Sequence, residues 1–213
     1  MSLRVAILIL GLSCAAGAQQ DAIPAPPPQA PAQAELSTLI EKQFGPTFKL
    51  EFVREPRTGF KYLNPPKELV EWKAMHFGDL NGDGIEDAVF LALSEAPLVD
   101  QGAYGYKVID PYFSRHGWGD PKVTATFQSE DPRFANQVIL VIHGDGVEAW
   151  RAETPLAKFA IINVPYKHVM IKKAMVKKKQ AQWAIAIVEE DQLTSSIFWE
   201  RGKYKWQPTG SAN

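Results

Sequence analysis

Cysteine is nearly missing from this 213-residue chain: there is one, Cys14. A single thiol closes no disulfide within the chain, and no paired-cysteine spacing offers a zinc or redox centre. Histidine is scarce too. His76, His116, His143 and His168 are scattered and never fall at metal-ligand spacing. An excess of either charge is also lacking. With 23 Lys and Arg against 24 Asp and Glu, the net charge is −1, which argues against the basic surface that nucleic-acid binding needs. No apolar run reaches the length of a membrane-spanning helix. No G-x-S-x-G elbow, phosphate-binding loop or H-E-x-x-H motif is present.

What the N-terminus does contain is a leader pattern. Met1–Ala18 carries an early positive charge at Arg4, an apolar centre from Val5 to Leu12, and small residues ending in Ala16-Gly17-Ala18. This is the architecture of a secretory signal, with cleavage expected after Ala18 and no cysteine left in the mature chain. The alternative is a lipid anchor through Cys14, which follows Leu10-Gly11-Leu12-Ser13, although Gly11 stands where a lipoprotein signal has a large aliphatic residue. Residues 19–34 hold five prolines and almost no charge, so they are expected to form an extended linker. Both readings export the remaining body, 35–213, to the periplasm or the cell exterior. Neither involves a transmembrane span.

The body reads as mainly β. Its one clear helical stretch is Ala34–Phe44, where Leu36, Leu39, Ile40 and Phe44 share a face and Gly45-Pro46 ends the run. Phe48–Val53 alternates apolar and charged residues, as a half-buried strand does. Arg54–Pro66 reads as loop, and 66–72 as a helical turn or an extended approach. Ala88–Leu93 is apolar on both faces, which predicts a central strand. Ser94–Pro121, rich in Gly, Pro, Tyr and Asp, reads as a long loop. Further strands are expected at Val123–Phe127, Val138–Ile142, Phe159–Val164, Val169–Val176, Trp183–Val188, Ser196–Glu200 and Tyr204–Gln207. Tight turns are expected at Gly144-Asp145-Gly146 and Arg201-Gly202-Lys203. The predicted class is antiparallel β, with blade-like sheets and one N-terminal helix; the alternative is α+β.

One stretch specifies a chemistry. In Phe77-Gly78-Asp79-Leu80-Asn81-Gly82-Asp83-Gly84-Ile85-Glu86-Asp87-Ala88-Val89-Phe90-Leu91, side-chain oxygens stand at Asp79, Asn81 and Asp83, and again at Asp87. Calcium takes six to eight oxygen ligands. Counted from Asp79, positions 1, 3, 5 and 9 offer three carboxylates and an amide, and position 7 offers the Ile85 backbone carbonyl. An EF-hand needs an acidic residue at position 12. That position is Phe90, and both flanks read as strands rather than amphipathic helices. The phrase FGDLNGDGIEDAVFL instead resembles the FG-GAP or VCBS-type repeat over about fifteen residues. The resemblance implies a β-loop-β calcium site with side-chain ligands at Asp79, Asn81, Asp83 and Asp87 and the Ile85 carbonyl completing the set. In that family such repeats build propeller blades, and this chain carries one full motif.

Three weaker signals remain. Tyr104, Tyr106, Tyr112 and Trp118, in the 94–121 stretch, are candidates to line a surface for a protein or glycan ligand. Lys172, Lys173 and Lys177–Lys179 form a basic patch that also suits the solvated end of a hairpin. Glu189-Glu190-Asp191 suits a solvated turn, or one carboxylate partner of a glycosidase-like pair. The sequence therefore predicts an exported, calcium-stabilised binding or scaffold module of bacterial type. The alternative is a secreted hydrolase acting on polysaccharide or peptide.

Overall fold

The computed structural model describes residues 33–56, 70–117, 131–176, 180–190 and 193–211, all within one compact unit, Ala32–Asn213. The expected leader, nearly all of the linker, Trp118, the expected strand Val123–Phe127 and Lys177–Lys179 lie outside the described residues.

In chain order the elements are α1 (Gln33–Phe44), β1 (Lys49–Leu50), β2 (Val53–Pro56), β3 (Val70–Lys73), β4 (Met75–Gly78) and β5 (Asp87–Leu93). There follow α2 (Gln101–Tyr104), β6 (Lys107–Ile109), α3 (Pro111–Arg115), β7 (Gln137–His143) and β8 (Ala157–Ile161). Four strands close the chain: β9 (His168–Val176), β10 (Gln180–Glu190), β11 (Leu193–Glu200) and β12 (Lys203–Ser211). The fold is mainly β. A six-stranded sheet runs β1-β5-β7-β8-β6, with β4 also paired to β5; a four-stranded sheet runs β12-β11-β10-β9; β2 and β3 form a separate ribbon. All pairings are antiparallel except β6 with β8. Among the described residues no helix is long and apolar enough to cross a membrane.

β5 explains the layering. It is hydrogen-bonded on one side to β7 and on the other to β4 and β1 in succession. Strand side chains alternate between faces. Ala88, Phe90 and Ala92 therefore join Leu36, Ile40 and Phe44 of α1 in one cluster. Val89 and Leu91 join Ile185, Ile187 and Ile197 of the four-stranded sheet in another. With apolar layers on both faces, β5 needs apolar residues at consecutive positions, as its sequence has.

The ends of α1 follow local chemistry. Glu35 lies in its first turn and Lys42 in its last, each favourable to the helix dipole. Gly45, at φ 94°, donates its N–H to the Glu41 carbonyl at 2.9 Å and closes the helix in a conformation that glycine adopts without strain. The helix begins at Gln33, so the last two residues assigned to the linker belong to it.

Of the 66–72 stretch the described residues, 70–72, are extended in β3, the second of the two alternatives. The structure differs from the sequence reading in two places. The expected strand Phe48–Val53 is split into β1 and the start of β2. The stretch 94–117 is not plain loop but holds α2, β6 and α3. The sequence carried a signal for α3 in Asp110-Pro111: the Asp110 side chain accepts from Phe113 N–H at 2.9 Å as the N-cap, and Pro111 occupies the first turn.

Candidate metal centre

The 79–86 loop connects β4 to β5, whose last register pair is Gly78 with Asp87. It is curled by side chain-to-backbone hydrogen bonds. The Asp79 carboxylate accepts from Gly82 N–H at 2.8 Å and from Gly84 N–H at 3.1 Å. Asn81 Oδ1 accepts from Asp83 N–H at 3.0 Å, and Asp83 Oδ1 accepts from Ile85 N–H at 2.8 Å. Asn81 Nδ2 donates to Asp83 Oδ2 at 2.7 Å. The bonds accepted by Asn81 and Asp83 from the N–H two residues on are successive Asx turns, which short oxygen-bearing side chains form readily. Gly82 and Gly84 sit at φ 82° and 84° with open space where a Cβ would point. Conformation rather than crowding makes them glycine.

Asp87 fixes the base of this loop. It is fully buried. Its Oδ2 accepts from Leu80 N–H at 2.8 Å and from Asn81 N–H at 3.3 Å, and its Oδ1 accepts from Gly144 N–H at 2.9 Å. One carboxylate thus joins both ends of the loop to the turn after β7. Burial pushes its pKa up to about 6; the three N–H groups oppose that shift, and the charge of Asp83 adds to it. Three of the lone-pair directions of Asp87 are taken by backbone. Leu80 is buried in the core between the sheets. Glu86 Oε1 accepts from the indole N–H of Trp150 at 3.0 Å, and that indole stacks on Phe77 at 5.2 Å.

The 143–149 turn makes a close approach to the loop. A Cβ on Gly144 would lie 2.5 Å from the Glu86 carbonyl oxygen and 2.8 Å from the Ala149 carbonyl carbon. Beside it, His143 is buried and its Nε2 shares a 2.7 Å hydrogen bond with the Tyr204 hydroxyl. Burial lowers the His143 pKa to about 4, with Asp83 and Asp79 pulling the other way. Burial, with the charge of Asp87 adding to it, holds Tyr204 well above the usual phenol range. At neutral pH a neutral imidazole and a neutral phenol therefore underlie the loop. No local motif in the sequence marks His143.

No family model matches this chain, no curated protein matches it, and no solved structure matches it.

The donor set has hard-cation character. Asp79, Asn81 and Asp83 present oxygen within one short turn, and no nitrogen or sulfur ligand stands among them. Such a set suits calcium rather than zinc. Among the described residues no group of three or more His, Cys, Asp or Glu side chains is placed to hold a metal ion. Asp79, Asp83 and Asp87 are thus not gathered into a carboxylate cage.

Of the tyrosines expected to line a surface, the described ones differ in burial. Tyr106 is buried, in edge contact with Phe48 at 5.4 Å, and its hydroxyl donates to the Pro97 and Val99 carbonyls. Tyr104 is half-buried against Gly45 at the end of α1. A ligand surface at Tyr106 is corrected to a core role, because its ring is packed against Phe44 and Phe48. Tyr112 is half-buried and meets Trp206 edge-on at 4.9 Å. Glu189 accepts from Ser195 Oγ at 2.8 Å across the β10–β11 hairpin. Lys172 and Lys173 are exposed on β9, the last strand in the order of its sheet.

Proposed function

We propose that the 79–87 loop binds calcium, and that the chain is an exported, calcium-stabilised binding or scaffold module of bacterial type. The observation that carries this reading is the curl of the loop. Two successive Asx turns at Asn81 and Asp83, with the Asp79 carboxylate accepting from Gly82 and Gly84, bring the oxygens of these three residues into one turn, on a base fixed by Asp87. Asp79, Asn81, Asp83 and the Ile85 carbonyl would hold the ion, with the remaining lone-pair direction of Asp87 beneath them. Calcium would neutralise like charges crowded in one loop and tie β4 to β5; its part is structural. The FG-GAP-type phrase supports the same ligands. Export rests on the leader pattern of Met1–Ala18. The partner in this reading is a protein or glycan ligand.

Calorimetric titration of the full chain with calcium tests the site. The expected result is one ion per chain, and Asp83→Ala should weaken binding by about tenfold or more through loss of a charged ligand. Unchanged affinity in that variant would remove Asp83 from the ligand set, and no heat from the parent chain would reject the site.

A further inference from the structure

A second site lies apart from the loop. Between the β6 edge with α3 and the β11–β12 hairpin is a cleft of about 750 Å³, within the range that encloses one small molecule. Each sheet contributes a terminal strand to it: β6 ends the six-stranded sheet and β12 the four-stranded one. Ile109, Pro111, Phe159, Tyr204 and Trp206 give it apolar, largely aromatic walls. The indole N–H of Trp206 is buried with no acceptor among the described residues, a polar group that a native wall seldom leaves unmatched.

Charge decides what the cleft accepts. Lys107, Arg115 and Lys203 line it and are exposed, and none has an ion-pair partner among the described residues. The two acids of the lining do not cancel them. Glu200 is paired with Lys205 at 2.5 Å. Asp110 is buried and accepts from Asn163 Nδ2 at 2.6 Å and from Phe113 N–H at 2.9 Å. Three cations without an ion-pair partner among the described residues, against two carboxylates already committed, leave the cleft positive, and low-dielectric walls concentrate that field. Arg115 is held in place: its guanidinium donates to the Trp206 carbonyl at 3.3 Å and lies 5.6 Å from the Trp206 ring.

We infer that this cleft binds a small organic anion with a flat apolar body, a carboxylate, sulfonate or phosphate carried on an aromatic or fused-ring hydrocarbon. The rings would lie against Phe159, Tyr204 and Trp206, and the anionic group would meet Arg115, Lys203 and Lys107. The inference stands whether or not the loop takes calcium, so the test is run in chelator and repeated in calcium.

The probe is anilinonaphthalene sulfonate, titrated into the folded full chain and followed by fluorescence and calorimetry. The expected result is saturable binding of one molecule per chain, with Kd on the order of 10 μM for a ligand of this size. Neutral N-phenylnaphthylamine should bind about tenfold more weakly or worse. Replacing two exposed cations, Arg115→Gln with Lys203→Gln, should cost about tenfold in affinity and leave the melting temperature nearly unchanged. The control pair Lys172→Gln with Lys173→Gln should bind as the parent does. Three results would each overturn the inference: no saturable binding by the folded parent, equal binding of the neutral analogue, or equal affinity in the cleft variant and the parent.

Discussion

Two buried titratable residues beneath the loop act in opposite directions as the pH changes. His143 has its pKa lowered from 6.5 to about 4 by burial. The unfolded chain takes up that proton first, so stability from this group is lost as the pH falls from about 6.5 to about 4. Asp87 is raised from 3.8 to about 6, again chiefly by burial. The folded chain holds its proton longer, so stability from this group is present at low pH and is lost as the pH rises through about 6. Between pH 4 and 6 the two offset each other. His143→Gln keeps an amide near Tyr204 and removes one of the opposing titrations. In chelator, its urea midpoint should rise on acidification from pH 6 to 4.5, while that of the parent changes little. Parallel profiles for the two proteins would show that His143 does not titrate as its burial implies.

At the scale of elements, two contacts hold pieces together that are remote in sequence. The first is the docking of the 143–149 turn under the loop. Gly144→Ala would place a methyl 2.5 Å from the Glu86 carbonyl oxygen, 2.8 Å from the Ala149 carbonyl carbon and 2.9 Å from Ile85 Cγ2, and the two nearest of these are backbone, which yields little. The turn must move and draw its N–H from Asp87. The expected cost is about 1–3 kcal/mol, read by urea unfolding, together with a weaker response to calcium; a variant as stable as the parent would mean that the contact relaxes freely. The second contact is made by Lys158 of β8. Its ammonium donates to the Gln43 carbonyl at 2.8 Å, to Gln43 Oε1 at 3.1 Å and to the Tyr104 carbonyl at 2.5 Å. It thereby satisfies the last carbonyls of α1 and α2, which a helix leaves unpaired. Partial burial lowers its pKa. Lys158→Met leaves those acceptors without their donor and should cost about 1–3 kcal/mol. Hydrogen exchange should show faster opening of the α1 C-terminus, and unchanged protection there would count against the tie.

For the whole molecule, the expected consequence of calcium is mass action on folding. An ion that binds only the folded chain stabilises it by about 2.7 kcal/mol at a hundredfold excess over Kd, or roughly 5–10 °C in melting temperature for a domain of this size. A thermal melt in chelator and in excess calcium should show that shift, and coincident melts would count against the site. The ion would act where the layers meet. β5 leaves the loop and at once becomes the strand that packs on α1 through one face and on the four-stranded sheet through the other. A clip at its first residue therefore bears on both apolar layers.

Much of this was written locally. The double-sided apolar run of β5 announced a central strand, because only a strand covered on both faces gains from burying consecutive residues. Arg201-Gly202 announced its hairpin, and both residues adopt positive φ, 52° and 78°, as a two-residue turn between twisted strands requires. The spacing of Asp79, Asn81 and Asp83 set the curl of the loop, since Asx turns reach only neighbouring backbone. Three things depended on tertiary structure. Tyr106 could line a surface or a core, and the packing of β6 against α1 made it core. His143 carried no local signature, because its role comes from Tyr204 and the loop, which are distant in sequence. Asp87 looked like one more ligand in a row of four, and became the staple between the loop and Gly144 only when β7 was laid beside β5. Hydrogen bonds within a few residues follow from sequence spacing, whereas partners across a sheet are fixed only once strand order and register are.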